Sequence, residues 1–231
     1  MRFAFALVLL LASSTARADF PFDPDGAGPK PAVQVGAFDF LVGNSLSKGA
    51  TTGNTWTLYF QASVGNLTDK DTKAIPGTGL NVDHEITVVA AINVRNVSPP
   101  PFVTYELDPG GNNFIRIYHD NQVNANPLAG TGYADGELIL ESHTTDDLMG
   151  GIWILPQITD LDLFGSGNQW PGVKSLRTTG ALQCSSVVSS FHRDYFLVPG
   201  IRKISINSSQ SAPYRQMEPS KLFWNGSSTF A

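Results

Sequence analysis

The chain reads as all-β, a single antiparallel β-sandwich or jelly-roll-like domain with few short helices, on three observations. Residues 55–64 and 84–95 alternate apolar and polar side chains with a period of two, the spacing at which successive residues of a strand face opposite ways. Clusters of Pro, Gly, Asn and Asp punctuate the chain between short apolar runs. No segment beyond residue 18 keeps an apolar 3.6-residue period through three turns, so helices should be few and short.

Arg2, the apolar run from Phe3 to Ala12, and Ala16-Arg17-Ala18 with its small residues at minus three and minus one together predict a secretory signal, cleaved after Ala18. An apolar run of ten residues is short of the roughly 20 that cross a bilayer core as a helix, and no Cys stands at the cleavage point to carry a lipid. Residues 19–31, with Pro21, Pro24, Pro29 and Pro31, are expected to be an extended lead-in with little structure of its own. Residues 32–231 show no composition shift and no fixed-period repeat, and are expected to form the one β-sandwich domain.

From Thr55 to Val64, Trp56, Leu58, Phe60, Ala62 and Val64 face one way, as in a half-buried antiparallel strand. In 84–95, Ile86, Val88, Ala90, Ile92 and Val94 oppose Thr87, Val89, Ala91, Asn93 and Arg95, which suits a more central strand. Shorter strands follow at 102–107, 113–119 and 137–143. The first two flank Asp108-Pro109-Gly110-Gly111-Asn112, whose Pro presets φ and whose glycines accept positive φ, and they read as a β-hairpin. Further strands are expected at 151–155, 180–186, 187–198 and 201–207.

Cleavage after Ala18 would leave 213 residues and remove Arg2 and Arg17, moving the formal charge from −5 to −7. An acidic chain whose longest basic run is Arg202-Lys203 is a poor partner for nucleic acid or anionic lipid, both held by Lys and Arg clusters. Charged residues make up 15%, against about 25% in ordinary soluble domains, which suits an extracellular or surface protein. Cys184 is the one cysteine, so the fold uses no internal disulfide. Its alternating context, without a His at helical or turn spacing, points to burial rather than to an intermolecular bridge or a nucleophile.

Four groups of residues invite chemistry. The stretch from Asp120 to Gly136 is long for a connection in a compact domain, and Asp120, Asn121, Asn124, Asn126 and Asp135 offer hard oxygen donors to calcium, although the spacing is not that of an EF-hand. The competing reading is that these side chains make turns with their own backbone. Asp160-Leu161-Asp162 with Gly165-Ser166-Gly167 makes a weaker case of the same kind. His84, His119, His143 and His192 fall on different predicted strands with no close pair, and His84 and Glu85, adjacent on a strand, should point to opposite faces.

Glu85, Glu106, Glu137 and Glu141 are candidates for the carboxylate pair of a glycoside hydrolase. Glu137 and Glu141 should share a face about 13 Å apart, too far for that pair. Among the tryptophans, Trp56 is expected in the core and Trp170, in a Gly-rich loop, is the best candidate to stack on a sugar ring; Trp153 and Trp224 complete the set. Sequons begin at Asn66, Asn96, Asn207 and Asn225. No G-x-S-x-G elbow, phosphate-binding loop or dinucleotide fingerprint occurs, so no catalytic or cofactor-binding residue is assigned.

The blocks Asn113-Phe114-Ile115-Arg116-Ile117-Tyr118-His119-Asp120 and Ala129-Gly130-Thr131-Gly132-Tyr133-Ala134-Asp135-Gly136, with Leu138-Ile139-Leu140, are familiar as a set. They are followed by Thr179-Gly180-Ala181, Asp194-Tyr195-Phe196 and Ile206-Asn207-Ser208-Ser209-Gln210. In order and spacing this half of the chain resembles the PEP-CTERM, exosortase-sorted surface proteins of the floc-forming type. The resemblance implies a secreted β-rich protein of a Gram-negative bacterium that helps hold cells in an exopolysaccharide matrix, and it brings no catalytic residues. Met217-Glu218-Pro219 is not followed by the apolar span and basic cluster of that family, so a freely secreted relative or a truncated gene is expected. The expected function is therefore non-enzymatic binding to exopolysaccharide or neighbouring surface proteins, with self-association possible through edge strands. A secreted carbohydrate-active hydrolase or lyase and a calcium-organised adhesion module are the alternatives.

Overall fold

The computed structural model describes residues 19–41, 43–48, 54–99, 101–126, 129–160, 174–210 and 222–227. Its elements are all strands: β1 (Phe20–Phe22), β2 (Val33–Val35), β3 (Ala37–Phe40), β4 (Asn44–Lys48), β5 (Thr55–Thr68), β6 (Glu85–Asn96), β7 (Phe102–Leu107), β8 (Phe114–Asp120), β9 (Glu137–Asp160), β10 (Lys174–Phe191) and β11 (Lys203–Gln210). The all-β expectation holds, and the described residues contain no helix. β1 and β2 pair with each other, and the other nine strands form one antiparallel sheet ordered β11-β10-β9-β7-β6-β5-β3, with β4 beside β5 and β8 between β6 and β9.

Two positions in that order are shared. β5 pairs with β3 through its C-terminal end and with β4 through its N-terminal half. β6 pairs with β8 through residues 85–91 and with β7 through residues 94–96, and β9 takes up both on the other side. β7 and β8 therefore run in line, one after the other, and do not form the expected hairpin. The turn chemistry of residues 108–112 is real but serves an excursion instead: the Asn93 carbonyl accepts the Asp108 amide at 2.8 Å, and the Asn113 side-chain oxygen takes the Asn93 amide at 2.6 Å where the ladder is interrupted. Asn113 also donates to the Asp108 carbonyl, closing the excursion.

Other runs read as separate strands are continuous. Residues 137–143 and 151–155 both belong to β9, and the run at 180–186 and the first part of the run expected at 187–198 belong to β10, which ends at Phe191, so that residues 192–198 are not strand. Beyond Trp153, where pairing with β7 ends, β9 continues against β10 alone, from Ile154↔Thr178 to Asp160↔Lys174. The register slips between Leu176 and Thr178, opposite Pro156, which has no amide to give the ladder.

The sheet curls on itself. β3 and β11 are its two outermost strands, yet Phe38 and Phe40 pack into the same apolar core as Ile204 and Ile206. The sandwich-like packing thus comes from a single hydrogen-bonded sheet whose ends face each other across the core. Its inner face supplies Ala62, Val64, Ile86, Val88, Ile115, Ile117 and Leu140, all buried, together with Cys184, which has no exposed surface.

Residues 19–31 are more structured than the proline count suggests. Pro21 is tolerated inside β1, a short edge strand, and its flanking phenylalanines enter the core. Phe22 is fully buried, in edge-on contact with Phe38 and Phe196 at ring-centre distances of 5.0 and 5.1 Å, and it bridges to Phe196 through the backbone. Phe22→Ala is expected to cost about 3–5 kcal/mol in urea unfolding, whereas a loss below about 0.5 kcal/mol would mean that the lead-in is not part of the folded core.

Candidate functional site

The inner face carries an unusual polar cluster where β6, β8 and β9 begin or end. Ile86 lies opposite His119 in the β6–β8 register, so His84, two residues earlier, emerges on the same face beside it. The two imidazoles stack at 4.9 Å between ring centres, tilted by 31°, and are only 2% and 3% exposed. Cross-strand register joins them, which is why no sequence spacing revealed the pair. Glu85 points the opposite way, as expected.

The cluster continues towards solvent. Tyr195 donates its hydroxyl proton to Glu137 Oε2 at 2.8 Å, so its oxygen accepts from His119 Nδ1 at 3.2 Å, which assigns the neutral His119 its Nδ1–H tautomer. The other carboxylate oxygen of Glu137 is 3.3 Å from His192 Nε2. The N-terminal segment closes the far side: the Asp23 amide bonds to the Tyr195 carbonyl, and Gly26, at φ +64°, lies flat on the Tyr195 ring, where a Cβ would stand 2.8 Å from Cζ. Beyond it Lys30 pairs with Asp83.

Burial sets the electrostatics. It lowers the pKa of His84 to about 4, with the neighbouring His119 and Lys30 pushing the same way, and it lowers that of His119 against the opposing pull of Glu137 and Asp120. It raises Tyr195, with the Glu137 carboxylate adding to the effect, so the phenol stays protonated. Asp23 is raised as well, first by burial and then by Asp25. Both Nε2 atoms, of His84 and His119, are buried without a hydrogen-bond partner among the described residues. Imidazoles this enclosed cannot touch a substrate, and only Glu137 and His192 of the cluster show substantial side-chain surface.

The remaining carboxylates are each committed elsewhere. A bulge at Ile139 separates Tyr118↔Leu138 from Ile117↔Leu140, so Glu137 and Glu141 lie on opposite faces, contrary to the expectation that they share one. Glu141 meets Arg116 at 2.7 Å on the outer face, and Glu106 pairs with Arg95 at 2.9 Å. Glu85, 2% exposed, accepts the amides of Asn124 and Ala125 at 2.8 and 2.9 Å, and burial raises its pKa. It fastens the long connection at Asn124 and Ala125, a role the sequence reading missed. Within that connection Asp120 and Asn126 accept the amides of Gln122 and Ala129, as turn-forming side chains do. Among the described residues no group of three or more His, Cys, Asp or Glu side chains is placed to hold a metal ion.

The aromatic candidates divide. Trp56 is buried, edge-on to Tyr105, with its Nε1 donating to Asn96. Trp224 packs against Tyr59 and Phe114 on the outer face. Trp170, Asp162 and Gly165-Ser166-Gly167 lie outside the described residues, as do the side chains of Trp153 and Asp160. His143 is exposed, and so are Asn66, Asn207 and Asn225 of the sequons.

A groove of about 1060 Å³ lies between β3 and β11, its lining including Ile117, Leu140, Phe20 and Phe196.

Two outcomes follow. The unfolded chain binds a proton at His84 near pH 6.5 that the folded chain refuses until about 4. The resulting stability is complete above pH 6.5 and is lost as pH falls between those values. The stability of the wild type relative to His84→Phe should therefore drop by about 3 kcal/mol between pH 7 and pH 4 in urea unfolding; a constant difference would mean that the imidazole is not held neutral. Separately, Glu85→Ala should lower hydrogen-exchange protection of the Asn124 and Ala125 amides about tenfold or more, since each loses a charged acceptor; unchanged protection would show that Glu85 does not hold the connection.

No family model matches the chain, and no curated protein or solved structure shows significant similarity to it.

Proposed function

We propose that this chain is a non-enzymatic binding protein, exported to the outer surface or matrix of a Gram-negative bacterium, that engages exopolysaccharide or neighbouring surface proteins. The observation that carries the reading is the groove between β3 and β11, a concavity of mixed polar and apolar lining bounded by the two terminal strands of the sheet. The distribution of reactive groups supports it too. His84, His119 and Tyr195 are enclosed, Glu85 holds a loop, and Glu106 and Glu141 pair with arginines. The leader-like residues 1–18, the low charge content and the resemblance of residues 113–140 to matrix-associated surface proteins support export and a matrix setting.

The test is co-sedimentation of the purified protein with exopolysaccharide from its source organism over a range of salt concentrations. Saturable binding is expected, with the polymer unchanged in length. New chain ends that accumulate with time, and that Glu137→Gln abolishes, would replace this reading with a carbohydrate-active enzyme. Absence of binding would remove polysaccharide as the ligand.

A further inference from the structure

The sheet has an odd number of positions. Counting β3 with β4 and β7 with β8 as single positions, seven lie side by side among the described residues, and every neighbouring pair is antiparallel. Alternation over seven leaves the two end strands, β3 and β11, running in the same direction. Joined directly they would make a parallel contact. One further strand, antiparallel to both, would make eight and close the sheet into a fully antiparallel barrel.

The walls are patterned for such a strand. In β3, Phe38 and Phe40 turn inward while Asp39 is exposed; in β11, Ile204 and Ile206 turn inward while Ser205 and Asn207 are exposed. An incoming strand with alternate apolar residues would place them over Ile117 and Leu140 and leave its polar residues in line with Asp39 and Ser205. Direction then fixes the charge. The charged residues lining the groove are Asp39, Arg202 and Lys203, and the basic pair stands at the start of β11. A strand antiparallel to β11 has its C-terminal end at that point.

We infer that the groove between β3 and β11 is an acceptor site for one extended strand of a partner polypeptide, apolar at alternate residues and carrying a carboxylate at its C-terminal end, beside Arg202. Backbone hydrogen bonds to the two flanking strands supply affinity, and the alternation and the terminal charge supply selectivity. The inference rests on the reading of the chain as a binding protein, and narrows its partner to a peptide strand.

The experiment is fluorescence anisotropy with the full purified protein and three labelled octapeptides: alternating Val and Thr ending in two Asp, the same ending in two Lys, and a scrambled form of the first. The acidic-ended peptide should saturate, with the other two at least about tenfold weaker. Arg202→Glu should invert the preference between acidic and basic ends, and Ile206→Lys should abolish binding while the melting temperature shows that both variants are folded. Equal binding of the scrambled peptide, or no binding at all because the groove is already filled by the chain itself, would overturn the proposal. So would a concentration-dependent dimer in sedimentation velocity that Ile206→Lys disrupts, which would make the occupant a second copy. Polysaccharide co-sedimentation of the unsubstituted protein separates the two readings, because failure of the peptide arms alone overturns the acceptor-strand proposal while saturable polysaccharide binding leaves the binding-protein reading in place.

Discussion

The constraint on which this architecture rests is the burial of β6 on both faces. From Glu85 to Ile92 every residue of the strand is enclosed, although only one face looks into the main core. The outer face is covered by two irregular segments, 120–136 and 222–227, and irregular backbone can lie on a sheet only if its amides and carbonyls find partners. The sheet provides them from its own side chains. Glu85 takes two amides, Thr87 donates to the Tyr133 carbonyl, and Gln61 donates to the Leu222 carbonyl while accepting the Trp224 amide. Around these fastenings Val89, Ala91, Phe114, Tyr133 and Trp224 form a second, smaller apolar cluster. The two covering segments also meet each other: Gly130, at φ +69°, lies against Leu222 so closely that a Cβ would stand 2.8 Å from its carbonyl carbon.

That arrangement makes the polar residues of a half-apolar face structural. A buried carboxylate with two amide donors is stable only while both donors remain, so the connection and the strand specify each other. The same logic applies on the inner face, where Tyr195 links His119 to Glu137 and the N-terminal segment closes over its ring. Residues 19–30 are thereby tied to the sheet by a polar network on one side and by the Phe22, Phe38 and Phe196 cluster on the other.

What could be read in the sequence was local. Period-two alternation located β5 and β6 to within a few residues, the short run at 113–119 anticipated β8, and the more apolar pattern of β6 indicated its central place. What escaped was everything set by pairing. Turn residues at 108–112 announce a change of direction, but whether the chain reverses or steps aside depends on β6, which offers Asn93 to both ends of the excursion. The histidine pair is likewise a product of register between strands more than thirty residues apart. Pro21 hid β1 because proline in a run argues against a strand unless the strand is short and at an edge.

The bulge at Ile139 has one more consequence. It converts an even spacing between Glu137 and Glu141 into opposite orientations, one carboxylate directed at the buried phenol and the other at an outer-face guanidinium. The stretch between them thus acts as a phase element, and its length is quantised. Gain or loss of one residue there would turn Glu137 outward and strand Tyr195 and His119 without their acceptor, whereas a change of two would restore the phase. What this part of β9 holds fixed is therefore the parity of its residue count.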